Sequence, residues 1–229
     1  MTQASPIGPE LFEFLDDLTR HNDRDWFHAN KQRYECDVRE PALALIEQLG
    51  PPLRRSAPML SAIVKRSGGS LMRIHRDTRF SKDKTPYKTN VGISIRHQAD
   101  DNIHAPGVYI HLACDECLVA AGCWRPHRET LAAIRRAIDD DPTAWRRARD
   151  QKKFRQSFHL SGESLKTSPR DYSIDHPQIE DLRRIDFIAV ANLTQQEITS
   201  AGAAAKMVGL IRDAKPLMQF LCSAIDVPY

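Results

Sequence analysis

Residues 107–123 read GVYIHLACDECLVAAGC, and the alternation within them decides the fold. Val108, Ile110 and Leu112 are apolar and alternate with Tyr109 and His111, which is the two-residue period of a strand with one buried face. Leu118–Cys123 reads as a second strand. Asp115-Glu116 between them is the expected tip of a hairpin, although it lacks the Gly that favours a two-residue turn. That tip sets Leu112 opposite Val119, Ile110 opposite Ala121 and Val108 opposite Cys123 on one apolar face. Tyr109 and His111 then lie on the other face, opposite Gly122 and Ala120. Two polar aromatics over two very small residues leave space above the sheet. A packed helix is the expected occupant, and a ligand is the alternative.

Strands on either side extend the sheet. Leu71–His75 and Thr89–His97 precede the hairpin, and Phe187–Ala191 follows it. Helical patterns flank them. Pro9–Thr19 carries Leu11, Phe14, Leu15 and Leu18 on one stripe. A second helix starts at an N-cap, Asp23, and runs through Trp26, Phe27 and Tyr34. Pro41 either kinks it or opens a third helix to Leu49, which Gly50-Pro51-Pro52 ends. Further on, Arg128–Ile138 and Thr143–Lys153 read as helices and residues 157–180 as irregular. Ile179–Arg184 reads as a short helix, and Gln195–Ala224 as a long helical region interrupted near Pro216. Cys36 and Cys222 fall in helical patterns as small core residues. No repeat or linker marks a boundary. The chain is therefore expected to be one α+β domain over residues 1–229, with a central, mostly antiparallel sheet flanked by N-terminal and C-terminal helices. Its parts are a helical 9–50, a sheet core 60–125 and a helix-rich 127–229.

At 229 residues, 41% hydrophobic and 28% charged, the chain has an ordinary globular composition and the length for a substantial core. Apolar runs such as Leu43–Ile46 are far too short to span a bilayer, so no membrane partner is expected. The N-terminal MTQASPIGPELFEF has no basic segment leading into an apolar one and does not read as a secretory leader. Five cysteines with no dense framework suit a reducing cytosol, so a cytoplasmic location is expected. The net charge of +3 hides a polarity. Residues 1–50 carry five Lys/Arg and ten Asp/Glu, whereas His127–Gln156 carries nine Lys/Arg and five Asp/Glu. Such polarity either steers a phosphate-bearing partner to one side or is neutralised by acidic N-terminal helices packing on the basic segments. A whole-chain charge of +3 is small for a dedicated nucleic-acid binder.

Chemistry concentrates in residues 73–90, RIHRDTRFSKDKTPYKTN, with six Lys/Arg against two Asp. Pro86 and the Ser/Thr/Asp/Lys-rich middle disfavour a continuous helix, so the run reads as strand, loop, strand. Cations crowded on a loop repel one another unless something negative sits among them, which makes this an expected anion site. Arg73 and His75 alternate with Ile74 on the incoming strand. Arg76, Arg79, Lys82, Lys84 and Lys88 offer forks and point charges to phosphate or carboxylate oxygens. Asp77 and Asp83 orient those cations. Phe80 and Tyr87 either anchor the loop to the core or stack on a base.

Other signatures are absent or fail on geometry. There is no GxSxG, GxxxxGK[ST], HExxH or GxGxxG, and Gly68-Gly69-Ser70 precedes a strand and so forms no phosphate loop. Cys114-x2-Cys117, Cys123 and His127 suggest zinc, but residues six apart on a strand are about 20 Å apart, while zinc needs its sulfurs at about 2.3 Å. No metal and no cofactor are expected. His75, Asp77 and Ser81 have the residue types of a hydrolytic triad, but Ser81 would need the loop to fold back.

The phrases NDRDWFHANKQRY (22–34), RIHRDTRFSKDKTPYKT (73–89), GVYIHL (107–112), AGCWRP (121–126), LAAIRRAI (131–138) and LKTSPRDYSIDHPQIEDLRRIDF (165–187) resemble a widespread family of unknown function in bacteria and fungi. The resemblance runs from about Leu11 to about Ile225. It implies one α+β domain, marks 73–89 as the family's signature and implies no established activity. Cys123 stands where the family tends to have glycine, and Thr167-Ser168 interrupts a stretch that is usually more basic. Cys114 and Cys117 match nothing in the family pattern.

Two functional classes follow. In the first, the protein is a binding module or enzyme for a phosphate-bearing ligand, nucleotide or nucleic acid. Its ligand-binding residues are Arg73, His75, Arg76, Asp77, Arg79, Lys82, Asp83, Lys84, Tyr87 and Lys88, with Tyr109, His111 and Trp124 lining a neighbouring pocket. In the second, it is a structural or interaction protein, and Asp77 and Asp83 pair with arginines and with Tyr87 in a buried ion-pair staple. The catalytic residues and the oligomeric state are left open by the sequence.

Overall fold

The computed structural model describes residues 3–99 and 104–229, so Met1 and Thr2 of the N-terminal stretch lie outside it. The strands β1 (Leu60–Ser61), β2 (Asn90–His97), β3 (Gly107–Ala113), β4 (Cys117–Cys123), β5 (His159–Ser161) and β6 (Phe187–Leu193) form one sheet in the order β1-β2-β3-β4-β6-β5. Every pairing is antiparallel. The fold is α+β, as expected. Along each central strand alternate residues are buried, and one face supplies Val91, Ile93, Ile95, Val108, Ile110, Leu112, Val119, Ala121, Phe187 and Ala189 to a single core. Tyr109, His111, Leu118, Ala120 and Ile188 on the second face lie outside that core and keep partial exposure. Among the described residues the large buried side chains of the helices join the same core as the first face, and the helix expected over Tyr109 and His111 is not found there.

The hairpin turns one residue earlier than expected. Ala113 N donates to Glu116 O at 2.9 Å, so Cys114-Asp115 is the tip. Leu112 consequently pairs with Cys117, Ile110 with Val119 and Val108 with Ala121, while Tyr109 lies opposite Ala120 and His111 opposite Leu118. The slip of two residues leaves every side chain on its expected face. Leu71–His75 is not a regular strand. It makes one isolated bridge to β2, Leu71 to Ile93, and another to the segment that precedes β2, His75 to Tyr87.

The helices also depart from expectation in places where packing overrides local signals. Asp23 caps α2 (Arg24–Ala29) after α1 (Pro9–Arg20), its carboxylate accepting from Trp26 N. The short α3 (Lys31–Arg33) passes into a π-helical turn, Tyr34–Arg39, and then α4 (Glu40–Ser56). The π turn absorbs Pro41, whose missing N–H breaks the regular ladder. Pro51 and Pro52 do not stop α4: its buried stripe of Leu45, Ile46 and Leu49 continues to Leu53, 1% exposed. Cys36 is exposed because the turn buries Tyr34 and Val38 instead, whereas Cys222 is buried as expected.

In the C-terminal half, α5 (Arg128–Asp140) is followed by α6 (Pro142–Arg149) and α7 (Lys152–Ser157), so the expected helix over 143–153 is broken. The break falls where Arg149 forks onto Asp150 at 3.0 Å and also pairs with Asp181. The segment expected to be irregular contains β5, and the short helix expected after it is α8 (Ile179–Leu182). After β6 come α9 (Gln195–Thr199), α10 (Ala203–Asp213) and α11 (Lys215–Ala224). The interruptions fall at Ser200–Gly202, with Gly202 at φ 87°, and at Ala214, while Pro216 sits harmlessly in the first turn of α11. Trp145 of α6 is fully buried and meets Phe187 of β6 edge-on at 5.9 Å, tying this layer to the sheet. Burying a side chain of that size contributes about 1.5–3 kcal/mol or more.

A candidate anion site at the root of the basic loop

Residues 73–76 and 86–90 run antiparallel and form the root of the basic loop: Arg76 N donates to Pro86 O at 2.9 Å and Lys88 N to Ile74 O at 2.8 Å. Both aspartates at its tip are engaged by arginines. Asp77 accepts from Arg79 Nε at 3.0 Å and Nη2 at 2.7 Å, a two-pronged contact. Asp83 pairs with Arg76 and accepts from the Thr85 amide and hydroxyl, each at 2.9 Å. The Arg79 guanidinium holds the Asp77 carboxyl down at about 2, and Arg76 does the same for Asp83, also about 2. Lys84 Nζ donates to Thr78 O at 2.9 Å. These groups are exposed, with Arg79 at 77% and Asp77 at 43% by side chain, so water screens the pairs and they fix geometry more than they add stability.

Tyr87 takes no part in those pairs. Its ring is buried and stacks on Phe27 with centroids 4.1 Å apart, and the His75 ring lies 5.2 Å away. Asn22 grips the Tyr87 backbone from both sides, donating to its carbonyl at 3.0 Å and accepting from its amide at 3.1 Å. Sequence reasoning missed Asn22 as a loop residue; the signal available was its place at the head of the 22–34 phrase. Of the two aromatics in the loop, Tyr87 is the anchor. Phe80 is 95% exposed.

Arg73, Lys82 and Lys88 stand apart from the internal pairs. Among the described residues none of them has a carboxylate partner. Lys88 is partly buried, and its ammonium is pushed below its ordinary range by that burial and by the Arg73 charge. Two residues further on, Asn90 Nδ2 lies 3.4 Å from both Tyr109 Oη and His111 Nδ1, and the Tyr109 oxygen is 3.2 Å from that same nitrogen. Burial raises the Tyr109 phenol, opposed by the Asn90 contact, and lowers His111, opposed by the charges of Glu116 and Asp115. Tyr109 has room to lean over β2 because its neighbour there is Gly92, where a Cβ would come within 2.8 Å of the phenol oxygen and 3.0 Å of Met72 Sδ.

Trp124 does not join this cluster. It lies past the end of β4, 64% exposed under the Arg125 guanidinium, and four residues from Ala120 is about 13 Å along a strand. Asp77 is turned to Arg79 and so does not complete a triad with His75. Cys117 and Cys123 occupy opposite ends of β4. Among the described residues no group of three or more His, Cys, Asp or Glu could hold a metal ion, and no helix is long and apolar enough to cross a membrane. Among the described residues the acidic N-terminal side chains that form ion pairs do so outside the two basic segments: Asp16 and Asp17 pair with Arg20 and Arg33, and Glu35 and Glu40 with Arg39 and Arg66.

No curated protein and no solved structure matches the chain. A family model does, over residues 10–220. That span takes in both halves of the site, the Asn22 clasp and the basic loop with its neighbours on β2 and β3, and the chain accordingly belongs to the conserved hypothetical protein family DUF2461.

Proposed function

We propose that this protein binds a phosphate-bearing ligand, a nucleotide or nucleic acid, through the loop of residues 73–90, with phosphate held at its root by Arg73 and Lys88. The observation that supports this most is that the paired segments carry two cations, Arg73 and Lys88, neither with a carboxylate partner among the described residues, and that the Arg73 charge is felt at the partly buried Lys88. Half-burying an ammonium beside a guanidinium costs free energy that an anion would return. Asn90, Tyr109 and His111 offer neutral hydrogen-bonding groups beside that position, and Arg76 and Arg79, committed to aspartates, keep the loop in shape. In this reading residues 73–89 are the family's signature, and the five free thiols suit a cytoplasmic location.

The Asp77–Arg79 and Asp83–Arg76 pairs favour a second reading, in which the loop is an ion-pair staple serving structure or a protein contact. A thermal-shift titration with sulfate and tripolyphosphate separates the two, since a ligand that binds only the native state raises its melting temperature. The expected result is stabilisation by tripolyphosphate that disappears in the Arg73→Ala, Lys88→Ala double variant. Stabilisation that survives in that variant, or none in the parent protein, favours the staple.

A further inference from the structure

Phe80 is the most exposed large apolar side chain described, at 95% against 66% for the next, Ile174. A lone exposed hydrophobe is ordinary on a protein surface. This one is distinguished by how it is held and by what surrounds it. It sits at the apex of a loop braced from within by the Asp77–Arg79 fork, the Asp83–Arg76 pair and the Lys84 Nζ contact to Thr78 O at 2.9 Å. Arg79 lies over its ring at 5.9 Å, and the exposed Lys82 and Lys84 stand within four residues of it. The tip is thus an aromatic face in a ring of cations, while Tyr87, the other aromatic of the loop, is spent on anchoring.

We infer that Phe80 is a stacking platform for an unpaired nucleobase, so that the ligand of the loop is a single-stranded nucleic acid whose backbone runs past the neighbouring cations. This rests on the phosphate-binding reading and sharpens it. A base needs one free ring face and brings its own phosphates, which are the two things the tip provides. An anionic membrane fits less well. Beside Phe80 the tip offers only Thr78 and Ser81, so the apolar area available for insertion is one side chain. A duplex keeps its bases stacked on one another and presents no free face.

The test uses three probes: oligothymidylate, an abasic strand with the same number of phosphates, and vesicles containing anionic lipid. Phe80→Ala removes a side chain that touches nothing in the core, so the variant folds. It is expected to bind oligothymidylate about five- to a hundredfold more weakly while binding the abasic strand as the parent does. In Phe80→Trp, the fluorescence added by the new indole should be quenched by oligothymidylate and unchanged by the abasic strand. Equal oligothymidylate affinity in Phe80→Ala and parent overturns the stacking role, leaving phosphate binding intact if the abasic strand still binds. Loss of vesicle binding in Phe80→Ala with no change for oligothymidylate assigns the tip to membranes and overturns it too. Failure of the parent protein to bind either strand overturns the nucleic-acid ligand, while the phosphate-binding reading falls only if tripolyphosphate also fails to stabilise the protein.

Discussion

Asp77 and Asp83 explain how six cations can share a short loop. Each carboxylate takes one arginine out of circulation and turns it into a strut, leaving Arg73, Lys82 and Lys88 for something else. Because both struts are exposed, removing one should loosen the tip without threatening the fold. Asp77→Asn is expected to shift the melting temperature little, to raise amide exchange in residues 77–82 and to weaken phosphate binding; a large melting change would instead assign Asp77 to structure. The pH response has a definite sign. Both aspartates are held down at about 2 in the folded protein by their arginines, below an unfolded value of about 3.9. Their contribution to loop order is therefore fully present above about pH 4 and is lost as pH falls through about 2, which carboxyl-carbon chemical shifts would follow. That acids within the run orient its arginines was legible in the sequence. Which acid serves which arginine was not, because the pairing depends on how the loop closes.

At the scale of elements, Asn22 joins two segments separated by 65 residues in the chain. It satisfies both backbone groups of Tyr87 at the point where the loop re-enters the sheet, and Phe27 of the adjoining helix α2 stacks on the Tyr87 ring. Asn22→Ala leaves that amide and carbonyl without their partner, a loss of about 1–2 kcal/mol. Its larger effect should be local, with faster proteolysis within residues 76–85; cleavage at the parental rate would show that ring stacking alone holds the loop. The strands were legible because alternation is a local pattern. The hairpin register was not, since a slip of two residues changes every partner and no face, and the hydrophobic pattern is blind to it. Pro51 and Pro52 misled for a related reason: the stop signal is local, while the buried stripe ending at Leu53 is tertiary.

For the molecule as a whole, the decisive feature is that helices cover the sheet on one face and leave the other partly open. Adjacent residues of β4 divide between these environments. Ala121 is 1% exposed in the core, whereas Ala120 lies between Tyr109 and Val190 on the second face. Sequence alone put the two alanines on opposite faces, but it assigned a helix to the second one, since two aromatics over small residues look the same whether a helix or solvent lies beyond. A matched pair of substitutions separates these environments. In Ala121→Leu the added side chain has to enter close-packed surroundings, and overpacking of this kind costs about 1–3 kcal/mol or more. In Ala120→Leu the side chain extends from the open face beside Tyr109, so the melting temperature should stay within a few degrees of the parent. Equal destabilisation by both would mean that something covers the second face. The same variant bears on function: Tyr109 Oη contacts both Asn90 and His111, so a leucine crowding Tyr109 should weaken phosphate binding at the loop root while sparing stability. Weakened binding in a fully stable Ala120→Leu protein would place the open face and the basic loop in one continuous site.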